Sequence, residues 1–298
     1  MRLPDDEPPA MKKLLVGLIG AGIQRSLSPA LQEQEARSHG LRLHYQLIDL
    51  DAAGVGEEAL PGLISAARIM GFVGLNVTFP CKQSVIPLLD ALSEEARTIG
   101  AVNTVVREAK RLVGYNTDGP GWSWGFRRAL PRADLSRVVL LGAGGAGSAC
   151  ADAVLRLGAA QLLVVDKEAA RAEELVLRLN GHFAGNRASA SADAAAALAG
   201  ATGLIQATPM GMAKLPGMPV SERLLRPSMW YSEVVYVPLE TQLLQAARRI
   251  GCATADGGHM NVGQAARGFK LFTGLDADAA RMDAHFRRLV TQTSEEVA

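Results

Sequence analysis

Cysteine is scarce in this chain: three residues in 298, at positions 81, 150 and 252. An odd number so widely spaced builds neither a disulfide framework nor a C-x-x-C metal site. The five histidines are scattered without ligand spacing, so no bound metal is expected. Net charge is nearly absent as well, because 31 Lys and Arg stand against 30 Asp and Glu and leave +1. That balance offers no basic or acidic surface to nucleic acid. No apolar run approaches the ~18 residues of a membrane-spanning helix. Residues 1–13 are rich in proline and charge and lack the apolar region of a secretory signal, and 1–11 read as a loose tail. No internal repeat is visible, and low complexity is confined to the alanine-rich stretch 192–199. These absences point to a soluble, cytoplasmic protein that works on a small molecule, as a monomer or homodimer.

What is present is apolar and periodic. Hydrophobic residues make up 48% of the chain, and the length suits two domains at roughly 100–200 residues each. The strongest signal is Val138-Val-Leu-Leu-Gly142-Ala-Gly144-Gly145-Ala146-Gly147. A short β-branched strand runs into glycines at G-x-G-x-x-G spacing, and a helical stretch follows, which is the context a dinucleotide fingerprint requires. Gly142 suits the tight turn, Gly144 the approach of a pyrophosphate, and Gly147 close helix–strand packing. The helix start then offers free N–H groups to phosphate. A second strand, 162–165, ends in Asp166, where an acid meets the adenosine ribose. An earlier Gly20-Ala-Gly22 lacks the third glycine, since Arg25 stands there, and is rejected as a second fingerprint.

The rest of the chain alternates strands and helices. Strands are expected over 14–19, 41–51, 72–77, 100–106 and 112–117, then 138–142, 162–166, 188–191, 204–207, 233–236 and 252–255. Helices are expected over 29–40, 61–70, a piece starting near Lys82 and running to 92, 93–99, 121–130, 148–158, 168–180, 193–198, 241–250, 260–272 and 276–291. Gly257-Gly258 reads as a break before the penultimate helix. The polar stretch 131–137 reads as a domain boundary.

Several polar groups fall at strand ends or helix starts. Ser26 and Ser28 place two hydroxyls on one side of an extended segment; they are either a ligand-binding pair or helix caps. Asn76, Thr78 and Lys82 follow the third strand, at the kind of strand end where α/β sheets bind ligands. Lys82 is otherwise a solvated lysine, though a helix N-terminus disfavours a cation. Asp118 is either a helix cap or a catalytic acid.

Taken in order, these stretches resemble the shikimate/quinate dehydrogenase family over roughly 14–290. The matching pieces are Ser26-Leu-Ser28-Pro29, Asn76-Val-Thr-Phe-Pro-Cys-Lys82, Gly100-Ala-Val-Asn103-Thr, Asn116-Thr-Asp118-Gly119, the glycine loop, Ala207-Thr-Pro-Met-Gly-Met212, and Met260 through Gln264 to Phe269. The resemblance implies an α/β protein of two α/β domains. A substrate domain over 14–118 is completed by the returning C-terminal helices 259–298, and a Rossmann dinucleotide-binding domain covers 119–258. It implies an NAD(P)-dependent alcohol dehydrogenase acting on a cyclic polyol acid of the shikimate pathway. Lys82 and Asp118 would be the catalytic pair. Ser26 and Ser28 would hold the substrate carboxylate, and Thr78, Asn103, Tyr236 and Gln264 the ring. Gly142, Gly144, Gly145, Ala146, Gly147, Asp166, Thr208 and Met210 would bind the cofactor.

The chain departs from the family in three places. Arg25 replaces the histidine before the serine pair, and Ala30-Leu31-Gln32-Glu33 replaces the His-Asn end of that motif. Val165-Asp166-Lys167 stands where NADP enzymes carry an arginine-bearing stretch. These departures resemble an NAD-using quinate/shikimate branch, so NAD is expected ahead of NADP. Aminoshikimate-type enzymes share that branch. A methylenetetrahydrofolate dehydrogenase has no need of the serine pair, and a non-catalytic NAD-binding sensor has no need of Lys82 with Asp118.

Overall fold

The computed structural model describes residues 13–295, so the tail expected over 1–11 and the last three residues lie outside the described residues. The first half of the chain runs β1 (Lys13–Gly20), α1 (Ser28–Ser38), β2 (Arg42–Asp49), α2 (Leu50–Ala53), α3 (Leu60–Met70), β3 (Gly74–Val77), β4 (Ala91–Leu92), α4 (Glu94–Ile99), β5 (Thr104–Glu108), β6 (Arg111–Tyr115) and α5 (Asp118–Ala129). Its six strands lie in the order β2-β1-β3-β5-β6-β4. β1 is parallel to β2 and β3, whereas β5 is antiparallel to both its neighbours.

The second half runs β7 (Arg137–Leu141), α6 (Gly145–Arg156), β8 (Gln161–Val165), α7 (Ala169–His182), β9 (Ala188–Ala190), α8 (Ala194–Leu198), β10 (Gly203–Gln206), β11 (Trp230–Glu233), α9 (Gln242–Ile250), β12 (Ala253–Ala255), α10 (Gly257–Thr273) and α11 (Ala279–Glu295). Its sheet has the order β12-β11-β10-β7-β8-β9, with every pair parallel. Both faces of such a sheet must be covered, and its strands β7, β10 and β11 are accordingly almost entirely buried. Val138 to Leu141 and Leu204 to Ile205 are at most 3% exposed. The winding reverses between β7 and β10, and the crevice at that reversal is where open α/β sheets take ligands.

The last two helices return to the first sheet. Phe269 and Phe272 of α10 are buried with Val16, Leu18 and Tyr45, and Met282 and Phe286 of α11 with Leu31 of α1. α5 serves both halves: Trp122 and Phe126 enter the core that holds Val138 and Leu140, while Gly121 and Gly125 lie against α10. Among the described residues, no helix is long and apolar enough to cross a membrane.

Three local expectations are corrected. The segment after Lys82 is not a helix: it is a set of turns with one 3-10 turn, Ile86–Leu88, then β4. Pro87 has no N–H to give an α ladder, and the bonds that form mostly reach three residues back, as in Ile86 N to Gln83 O and Leu88 N to Val85 O. Lys82 therefore sits in a turn. Gly257-Gly258 does not break the chain, because the Asp256 carboxylate accepts from Gly258 N at 3.0 Å and caps α10 there. β11 covers 230–233 rather than 233–236: the apolar Val234-Val235 pair marks the loop, and Trp230 and Tyr231 are the residues buried in the sheet.

Candidate active site

The turn after β3 and the first turn of α5 bring a cation and an anion together from 36 residues apart. Lys82 Nζ donates to Asp118 Oδ2 at 2.5 Å, with the two side chains 21% and 9% exposed. The backbone fixes the lysine, since Val102 N donates to Lys82 O at 2.8 Å. Asp118 does not cap α5. It lies inside the first turn, the cap position is Thr117, and no side chain bonds there. Its carboxylate is turned instead toward Lys82 and Asn103.

Asn103 is the hub beneath the pair. Its Nδ2 donates to Asp118 Oδ1 at 2.8 Å and to Thr117 Oγ1 at 3.0 Å, and its Oδ1 accepts from Thr117 N at 2.8 Å. Asn116 Oδ1 accepts from Asp118 N at 3.0 Å. A buried polar network is stable when its members are satisfied, and this one holds the carboxylate in a single orientation. It extends through Asn76, whose Nδ2 donates to Asn103 O and Thr104 Oγ1, to Tyr45, whose hydroxyl donates to Asn76 Oδ1 at 2.7 Å.

Ser28 and Tyr236 complete the wall. Both side chains lie near the Tyr45 hydroxyl. Burial pushes the Tyr45 phenol well above its ordinary value. The protein around Tyr236 raises that phenol too, and the nearby Asp118 charge adds to the effect. Ser26 Oγ accepts from Ser28 N at 3.3 Å, but the cap position of α1 is Leu27 and receives no side-chain bond, so the pair is not a conventional cap. Ser26, Thr78 and Gln264 join no hydrogen bond of the Asn103 network. Thr78 lies in the turn between β3 and Lys82, packed against Gly20, and Gln264 meets α5 through its backbone at Gly121. Tyr45, Asn76 and Asn116 are additions to the expected set. Tyr45 was visible as an inward position of an alternating strand, and Asn76 and Asn116 as motif members, but nothing in the sequence joined them.

The glycine loop closes the site on the other side. Gly142 has φ +94°, and a Cβ there would come within 2.9 Å of the Ala207 carbonyl group on β10's outgoing loop. A Cβ on Gly147 would collide with Gly142 O, so helix and strand meet as closely as the fingerprint requires. A Cβ at Gly144 would meet nothing within 4 Å, and no side chain caps the first turn of α6. Open space before uncapped N–H groups fits a pyrophosphate. Gly145 and Ala146 form that first turn, and Lys82 Cδ is 3.5 Å from where a Gly145 Cβ would stand. The loop and the ion pair therefore face one another. Asp166 ends β8 with Oδ2 accepting from Ala143 N at 2.7 Å and Oδ1 from Glu168 N at 2.9 Å. Thr208 and Met210 follow β10, where Thr208 Oγ1 accepts from Met210 N at 3.2 Å. These residues fit a nicotinamide dinucleotide spanning from Asp166 to Lys82.

The chain is similar to known proteins over nearly its whole described length. The model of the shikimate dehydrogenase substrate binding domain matches residues 18–105. A shikimate dehydrogenase (NADP+) of Streptomyces avermitilis is 55% identical over 92% of this chain and 95% of its own length. A quinate/shikimate dehydrogenase (NAD+) of Corynebacterium efficiens is 44% identical over 93% and 98%. The quinate dehydrogenase of Corynebacterium glutamicum, solved in complex with NAD, superposes with a TM-score of 0.88 at 41% identity, covering 93% of this chain and 99% of that one.

Proposed function

The chain belongs to the shikimate dehydrogenase family, and from that premise we propose that it interconverts the ring alcohol of shikimate or quinate with the corresponding 3-dehydro ketone, using NAD in preference to NADP. As a member of that family it is an NAD(P)-dependent oxidoreductase. The observation that carries the reading is the Lys82–Asp118 pair at 2.5 Å, opposite the glycine loop.

Bound NAD(P) supplies the hydride donor or acceptor. The chain supplies the rest. Ser26 and Ser28 hold the carboxylate of the acid, and Thr78, Asn103, Tyr236 and Gln264 hold ring hydroxyls, so that one carbon faces the cofactor. A site with several hydrogen-bonding groups rejects analogues that lack a hydroxyl. In the direction of reduction, Lys82 Nζ–H donates to the ketone oxygen as charge develops there; oxidation returns the hydroxyl proton to the same nitrogen. Asp118, held by Asn103 and Asn116, keeps that nitrogen in place.

The cofactor preference rests on Asp166. A 2′-phosphate would bring close to two negative charges against its carboxylate, and like charges disfavour one another at contact. An NADP site would offer an arginine fork. Here Arg171 Nε is engaged by Glu168 at 2.9 Å, and Lys167 is the cation beside Asp166. The test is kcat/KM with shikimate, quinate and an amino analogue, each with NAD and NADP, read at the absorbance of the reduced nicotinamide. The expected result is turnover of shikimate or quinate with NAD favoured by roughly a hundredfold, as a few kcal/mol implies. Preference for NADP would refute the role of Asp166, and no turnover of any acid polyol would refute the substrate class.

A further inference from the structure

β10 and β11 end side by side with an uncommon pair of residues. Gln206 and Glu233 are register partners at the last rung, and they are 0% and 1% exposed. Each folds back on the loop after its own strand. Gln206 Nε2 donates to Met210 O at 2.8 Å and to Thr208 O at 3.2 Å, while its Oε1 accepts from Thr208 N at 3.0 Å. Glu233 Oε1 accepts from Val234 N at 2.9 Å and Val235 N at 3.0 Å. Its Oε2 accepts from Tyr231 Oη at 2.7 Å and Thr241 Oγ1 at 2.8 Å. The two strand ends are also tied through the backbone, since Val234 N, one of the donors to Glu233, donates to the main-chain oxygen of Gln206 at 3.0 Å.

Glu233 is costly where it stands. Its four donors are all neutral, and burial pushes its carboxyl above the usual range even though each donor works the other way. An apolar residue would fill the same volume without that desolvation. What the carboxylate provides is a fixed course for the chain after β11: it holds Val234 N and Val235 N, and Tyr236, which lies near Asp118, follows them directly. Gln206 does the same for Thr208 and Met210. The loop after β10 borders the crevice between β7 and β10, where the reacting end of the cofactor belongs in the reading above, and the loop after β11 lies one strand further out on the same side.

We propose that Gln206 and Glu233 are coupled positioning residues, which set the Thr208–Met210 loop and the Val234–Tyr236 loop together and so fix the geometry of hydride transfer, with smaller effects on the binding of the acid at Tyr236 and of the cofactor at Thr208 and Met210. The inference rests on the proposed dehydrogenase reading. A misplaced loop should slow the chemical step, because small displacements from the near-attack arrangement are expensive, while the carboxylate and ribose contacts lie elsewhere.

The test compares wild type, Gln206→Met, Glu233→Gln and the double variant. It measures kcat, KM for the acid and for NAD, the melting temperature, and the primary isotope effect with an acid polyol deuterated at the reacting carbon. Gln206→Met keeps the length and removes all three bonds; Glu233→Gln keeps the shape and replaces one acceptor oxygen by a donor. The expected result is a fall in kcat of about tenfold or more for each, KM values within about threefold, a larger isotope effect, and a double variant that loses less than the product of the singles. Gln206→Asn, which keeps the amide but shortens its reach, should recover part of the kcat lost in Gln206→Met. Should Glu233→Gln fail to fold, the two Gln206 variants decide alone. A lowered melting temperature with unchanged kcat and isotope effect would make the pair structural and overturn the proposal, as would a rise in KM alone. A wild type inactive on every acid polyol refutes the functional reading; an active wild type with unimpaired variants refutes only this inference.

Discussion

Asp166 has both oxygens engaged by backbone before any ligand arrives, one by Ala143 N and one by Glu168 N. It therefore ties the glycine loop to the end of β8, whatever it does for the ribose in the proposed reading. Asp166→Ala should weaken both cofactors, because Ala143 N loses its partner, and NAD more than NADP, because only NADP gains from removal of the charge. A hydrogen bond to a charged group is worth about 1.5–3 kcal/mol, so the NAD/NADP ratio in kcat/KM should fall roughly tenfold or more; an unchanged ratio would place the discrimination elsewhere. At this scale the sequence was informative about which residues matter and silent about how they are held. Asp118 was legible equally as a cap and as an acid. The choice was made by Lys82 and Asn103, 36 and 15 residues away along the chain, and no local pattern encodes such a contact. Glu233 was not singled out at all, because its value lies in two amides and two hydroxyls that only the folded loop brings to it.

At the scale of elements, periodicity located nearly every strand and helix and failed where special residues interrupt it. The turns after Lys82 and the start of α10 depend on Pro87 and the Asp256 cap, and β11 on burial that the apolar Val234-Val235 pair mimicked. The contact between α5 and α10 could not be read in advance, since glycine at 121 and 263 signals close approach only once the partner is known. A Cβ at Gly121 would run into the backbone of Gln264, and one at Gly263 would stand 2.5 Å from Gly121 O. Gly121→Ala should therefore part the two helices, at a cost of about 1–3 kcal/mol. A calorimetric melting temperature lower by several degrees, together with a raised KM for the acid, is the expected outcome; an unchanged melt would mean that the helices adjust freely.

The C-terminal helix carries its own pH dependence. Burial pushes the Glu35 carboxyl up, but the Arg281 guanidinium, the Asp278 amide and His39 outweigh it and hold it below the ordinary carboxylate range. Arg281 Nη2 donates to Glu35 Oε1 at 2.6 Å, and this pairing fastens α11 to α1. A carboxyl depressed in the folded state contributes its stability fully above its unfolded value, about 4.3 for glutamate, and loses it as pH falls through the lower folded value. Hydrogen exchange in α11 should accelerate as the pH falls below about 4.3 in wild type, beyond the intrinsic pH trend. In Glu35→Gln it should be fast already at neutral pH, without that additional acceleration. Equal exchange in the two proteins at pH 7 would remove Glu35 from the account.

Across the whole molecule, two sheets of different topology meet where α5, α6 and α10 pack, and the polar residues of each turn toward the seam. Ile99 and Ala101 of the first half lie against Ala149 of α6, a small apolar contact that joins the halves directly behind the Lys82–Asp118 pair. The two-sheet division was legible because the G-x-G-x-x-G context and the strand–helix alternation are local, whereas the return of α10 and α11 to the first sheet followed from the family resemblance rather than from any pattern in their residues. The arrangement leaves Lys82 and Asp118 facing the glycine loop of the other half, so the central claim of the proposed function concerns a single atom, Lys82 Nζ. It is tested by Lys82→Ala, with NAD affinity measured by fluorescence titration and turnover measured at saturating acid polyol and NAD. The account predicts a kcat lower by about 10²–10⁴, the range for a positioned proton donor, with NAD affinity within about threefold of wild type. Turnover near the wild-type rate would contradict it.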